Sequence, residues 1–228
     1  MEKMEEKIMR TNFGKELKRL VILSICVLLV GGSVSALSLR TQIGEAVSLA
    51  QSREVDMGFD MAVLDYIQST IRCDFLDLLM PAVTALGNGG ILWIVIAVTL
   101  FLFPKTRKTG LAVMLGLVLE VICCNVILKP FVARLRPFDV NTSIQLLIPK
   151  PTDFSFPSGH TGAAFASASA LYFSKNRFRV PALILAALIG FSRLYLYVHY
   201  PTDVLAGVFI GILAGWCGYT LAGRRYAA

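Results

Sequence analysis

The chain of 228 residues has only two histidines, and each stands among other groups that handle charge or protons. His160 closes the run Phe156-Pro157-Ser158-Gly159-His160. His199 follows Ser192-Arg193 and precedes Asp203 by four residues. A third cluster, Lys129 to Arg136-Pro137, adds Arg134 between them. Convergence of the three would put both imidazoles beside at least three cations. Such a site binds an anion and can move protons near neutral pH. That is what phosphoryl transfer requires.

Each residue type has a task in that chemistry. Lys129, Arg136 and Arg193 would neutralise phosphoryl oxygens, arginine through paired planar bonds and lysine as a point charge. Ser158 and the Gly159 amide sit where a helix begins, and free backbone donors there favour phosphate. Asp203 can take a hydrogen bond from one nitrogen of His199, which leaves the other with its lone pair aimed at phosphorus. His160 then remains to protonate the leaving oxygen.

The elements that carry these clusters are apolar. Residues of the AVILMFWYC set make up 56% of the chain and charged residues only 16%, against about 25% charged in ordinary soluble domains. Uncharged or nearly uncharged runs cover 20–37, 83–103, 110–128, 161–173, 180–198 and 204–221. They predict an all-α, polytopic membrane protein with six spans in one domain. A signal-peptide reading of the first run competes through Val34-Ser35-Ala36. Gly87-Asn88-Gly89-Gly90 interrupts the second run, and starting that span after the glycines would leave it too short to cross. The run after His160 is crowded with glycine and alanine, and small residues let membrane helices approach closely. It is expected at the centre of the bundle. Residues 56–77 read as an amphipathic helix at the membrane surface, with Met61, Leu64, Ile67 and Ile71 on one face.

Basic residues set the expected orientation. With a cytoplasmic N-terminus, the segments 1–19, 104–109, 174–179 and 222–228 hold 14 of the 22 Lys and Arg. The positive-inside rule then puts both ends in the cytoplasm and all three polar clusters on the outer side. The net charge of +7 is a topology signal, with no nucleic-acid footprint. Four of the five cysteines lie in apolar runs, so no disulfide framework or metal-ligand spacing is expected.

The spacings K-x(6)-R-P, P-S-G-H and S-R-x(5)-H-x(3)-D, met here from Lys129 to Asp203, resemble the type-2 phosphatidic acid phosphatase family, membrane relatives of vanadate-dependent haloperoxidases. All eleven fixed positions match. The resemblance implies a membrane lipid phosphatase that needs no metal or other cofactor. It implies that His199 is a nucleophile forming a phosphohistidine, that His160 is the general acid, and that Asp203 orients His199. By the same resemblance Lys129, Arg136, Ser158, Gly159, His160 and Arg193 bind phosphate. The expected partner is a lipid phosphate in the plasma membrane, with undecaprenyl diphosphate first and phosphatidate or phosphatidylglycerol phosphate second. A lipid phosphotransferase, or a non-catalytic phospholipid binder or transporter, is the reading from another class.

Other residues carry separate expectations. Arg134, two residues before Arg136, is expected either on the site side as a cation for a second phosphate or among lipid head groups. Glu120 inside a span reads either as functional or as a carboxyl joining two helices. Trp93 and Trp216 are expected near membrane interfaces, and Met57 and Met61 on an apolar helix face. Ile144, Leu146, Leu147 and Ile148 either cover the site or dip into lipid.

Overall fold

Residues 58–225 are described by a computed structural model, and every regular element among them is helical. The elements are α1 (Gly58–Tyr66), α2 (Asp74–Ala85), α3 (Ile91–Leu102), α4 (Arg107–Val121), α5 (Gly159–Phe173), α6 (Arg179–Tyr195) and α7 (Pro201–Arg225). A π-helical stretch, Ile122–Leu128, prolongs α4 to the turn Lys129–Val132. The expected first span, 20–37, and Met57 lie outside the described residues.

α5 packs against α4, α6 and α7, and so stands at the centre as its small residues suggested. Ten of its fifteen residues are buried, among them Ala164, Ala166, Ala168 and Ala170. The close approach is completed from α7. A methyl group on Gly211 would lie 2.6 Å from the carbonyl of Gly162, and one on Gly215 2.4 Å from that of Ala166. Backbones this near gain dispersion contacts that larger side chains would forbid.

The distribution of polarity is inverted relative to a soluble protein. Phe75, Leu78, Leu102, Phe131, Leu205 and Phe209 face outward, while Glu120, Arg136, Ser158, Arg193, His199 and Asp203 are buried. An apolar solvent around the helices makes that arrangement stable. Two helical stretches, Arg107–Val140 and Pro201–Gly223, are long and apolar enough to cross a membrane. A third candidate is the pair α2 and α3, bent by 43° at the break between them.

That pair bears on the expected second span, since helix is already present before residue 83. Gly89 and Gly90 adopt φ of 57° and 65°, a region open chiefly to glycine, so the chain turns and starts again. The expected surface helix 56–77 is likewise two pieces. Its apolar face is real, yet Leu64 and Ile67 are buried against Tyr195, Tyr197 and Tyr200 of the α6–α7 connection instead of a membrane surface. Trp93 also departs from expectation, being 1% exposed in the core with Ala97 and Leu111. Trp216 is about half exposed. Met61 packs beside Leu64, and Glu120 is buried against Gly162 of α5.

Candidate active site

The connection between α6 and α7 holds His199 by its backbone first. The amides of Val198 and His199 both donate to the carbonyl of Arg193, closing a turn in which Tyr197 takes φ of 58°. A bulky residue rarely sits there. Tyr197 is kept in place through its hydroxyl, which donates to Asp65 at 2.7 Å. The result is a histidine that is 1% exposed yet on the wall of a cavity of about 440 Å³.

The tautomer of His199 follows from its neighbours. Arg136 Nη1 lies 3.2 Å from Nε2, and a guanidinium can only donate, so Nε2 carries the lone pair. The proton is then on Nδ1, 3.5 Å from Asp203 Oδ2. That separation is longer than a hydrogen bond. Asp203 is fully buried and is itself held by the Tyr200 amide at 3.0 Å, by the Ser155 hydroxyl and by Arg134. Burial, and then the positive charges of Arg136, Arg193 and Lys129, keep the imidazole of His199 well below its ordinary pKa. The ring therefore stays neutral in mildly acidic water.

Lys129, Arg136, Gly159, His160, Arg193 and His199 all line the cavity. The π-helical end of α4 delivers Lys129, and such irregular turns often mark functional positions. Arg136 is fixed by the carbonyls of Val198 and Asp153 at 2.6 and 2.8 Å. Arg193 donates to the Thr84 hydroxyl at 2.6 Å. Between the first two cations lies a carboxylate: Asp153 receives Lys129 and, at 2.7 Å, Arg136. Partial burial alone would raise the Asp153 carboxyl, but Lys129 and Arg136 outweigh it and hold it at about 2. Ile148 lines the same cavity, whereas Ile144, Leu146 and Leu147 pack onto buried residues that include Tyr195, Tyr197 and Val198.

Two expected site residues stand elsewhere. Ser158 is buried with its hydroxyl 2.9 Å from that of Thr161, and it does not line the cavity. Arg134 does not line this cavity; with Pro151 and Asp153, which line both, it lines a neighbouring one of about 400 Å³. Its guanidinium meets Asp203 at 2.7 Å, Asp60 at 2.6 Å and Thr202 at 2.7 Å, above the ring of Tyr200. Ala133 takes φ of 48° and turns the chain just before Arg134. Sequence reasoning missed Thr84, Asn88, Asp153, Ser155 and Asp60. Only the glycine cluster around Asn88 left a visible mark.

Residues 108–227, more than half of the chain, match the PAP2 superfamily. The chain belongs to that superfamily. An undecaprenyl-diphosphatase of Sulfolobus acidocaldarius is 37% identical over 52% of this chain and 58% of its own length. The chain thus spans little more than half of that relative. The undecaprenyl-diphosphatase BcrC of Bacillus subtilis is 34% identical over 62% of this PAP2 chain and 72% of the relative. Among solved structures, the transmembrane PAP2-type phosphatidylglycerolphosphate phosphatase of Bacillus subtilis superposes with a TM-score of 0.63 at 27% identity. That alignment covers 84% of this chain and 98% of the other. The described helices have the PAP2 membrane-phosphatase fold.

Proposed function

We propose that the chain is a membrane lipid phosphatase that cleaves a terminal phosphate from a lipid, with undecaprenyl diphosphate as its main substrate. The observation that carries this reading is the Asp153 carboxylate seated across Lys129 and Arg136, in a cavity that both histidines also line. It supports an anion site at these two cations, with Nε2 of His199 next to Arg136. Phosphate in that position would present phosphorus to the lone pair of Nε2. As the N–P bond forms, the bridging P–O bond breaks and its electrons leave with the lipid oxygen, which takes a proton from His160. Water then attacks phosphorus, gives its proton to His160 and releases inorganic phosphate, restoring His199. Asp203 keeps the Nδ1 proton of His199 in place, and Lys129, Arg136, Arg193 and the Gly159 amide stabilise the charge that gathers on the phosphoryl oxygens.

The names of the relatives support the diphosphate reading, and that of the Bacillus subtilis structure supports phosphatidylglycerol phosphate as the second. The proposed setting is a multi-pass protein with six spans and its site on the outer side of the plasma membrane. Phosphate release from purified protein in detergent, offered undecaprenyl diphosphate, phosphatidylglycerol phosphate and phosphatidate, tests the substrate. His199→Ala and His160→Ala should each lose release by at least about a hundredfold with folding intact. Near-native turnover by His199→Ala would end the phosphohistidine reading. A preference for phosphatidylglycerol phosphate would replace the diphosphate as substrate.

A further inference from the structure

The break between α2 and α3 stands directly against His160. The side-chain oxygen of Asn88 lies 2.9 Å from His160 Nε2. Gly87, one residue earlier, is buried, and a methyl group there would come within 2.8 Å of Cδ2 of the same ring. Gly89 and Gly90, with their positive φ, bring the chain back into helix immediately after Asn88. Four consecutive residues thus form a seat for one imidazole: a gap for its edge, an acceptor for its nitrogen and a turn that presents both. Asn88 also lines the cavity, so this seat is part of its wall.

We propose that Asn88 is the positioning residue of the general acid, accepting the Nε2 proton of His160 so that the proton on Nδ1 is the one given to the leaving oxygen. The proposal rests on the acid role of His160 given above. An amide oxygen can accept but not donate. It fixes which ring nitrogen keeps its proton, and as an acceptor it offsets part of the lowering that burial, Arg193, Lys129 and Arg136 impose on the ring. The residue touches the acid and acts through it.

A general acid matters most when the leaving oxygen is basic. The lipid alkoxide of phosphatidate needs a proton as it departs, whereas 4-nitrophenolate needs little help. Asn88→Ala should therefore lower kcat for phosphatidate by about ten- to hundredfold, part of what general acid catalysis supplies. For 4-nitrophenyl phosphate the loss should stay within about threefold. Asn88→Asp, which keeps an acceptor at the same place, should restore most of the phosphatidate rate. Gly87→Ala, which pushes on the ring while leaving Asn88 intact, should give the same selective loss. It also decides the matter if Asn88→Ala fails to fold. Equal losses on both substrates, or none, would overturn the proposal. His160→Ala is measured in parallel. Selective loss in His160→Ala but not in Asn88→Ala removes Asn88 alone. Unselective loss in His160→Ala removes the acid role itself, and the positioning role falls with it.

Discussion

Arg134 is the residue whose position changes its expected effect most. The sequence placed it beside Arg136 as a cation for a second phosphate, and in the fold it braces Asp203 and Asp60 beside His199. Its removal leaves the Asp203 carboxylate short of one charge-assisted bond, worth roughly 1.5–3 kcal/mol. Arg134→Ala should then slow undecaprenyl diphosphate and phosphatidate alike, by about ten- to a hundredfold in kcat/KM. A loss confined to the diphosphate would return Arg134 to the phosphate site. His199 yields a second prediction. Its pKa is lowered, so the neutral, reactive form persists as pH falls below the ordinary histidine value of about 6.5. The acid limb of kcat/KM should lie clearly below that value once the substrate's own titration is accounted for. A limb at or above it would mean that burial and the three cations do not act on the ring. The motif residues were legible from type and spacing because the same few groups suit one reaction. Thr84 and Asp153 were not, since each draws its role from a contact with a distant residue.

Helix packing explains why the site holds its geometry. Asp203 begins α7, Gly159 and His160 begin α5, and the two helices meet through glycines. Gly211→Ala would force its methyl against the Gly162 carbonyl at 2.6 Å and Phe165 Cβ at 2.8 Å. Overpacking of this kind costs about 1–3 kcal/mol. Thermal unfolding in detergent should show a lower Tm for Gly211→Ala, with Gly223→Ala unchanged because nothing lies within 4 Å of that position. Equal Tm values for all three proteins would show that α5 and α7 have room to spare. The central place of α5 could be read from its small residues. The matching glycines of α7, Gly207, Gly211 and Gly215, came to light only with the packing. The π-helical end of α4 had no sequence signal, since the apolar run continues through it.

At the level of the molecule, the all-helical class and the outward-facing apolar side chains were legible in composition, because lipid-facing surface needs no charge. The burial of Leu64 and Trp93 was not, since an apolar face does not say whether lipid or protein will cover it. The orientation rests on the basic segments, and Cys73 offers a direct check. It is exposed, just before α2, in the stretch expected outside the cell. A variant keeping Cys73 alone, with the other four cysteines replaced by alanine, should react in intact cells with a membrane-impermeant maleimide. Reaction only after permeabilisation would reverse the topology.

Asp153 gives the site an occupant of its own. Because it is tethered, the carboxylate competes with any incoming anion at a high effective concentration. An entering ligand must take both Lys129 and Arg136 from it, and the return depends on the charge the ligand brings. A terminal phosphate carries nearly two charges, whereas a phosphodiester head group carries one. Bulk lipids around the mouth would therefore be poor tenants, and exchange would favour the phosphate that can be hydrolysed. Asp153→Asn should remove the competing charge from the two cations, and phosphatidylglycerol should then inhibit at least about tenfold more strongly than in the wild type, the effect of losing one charge-assisted competitor. Unchanged inhibition would mean that Asp153 filters nothing.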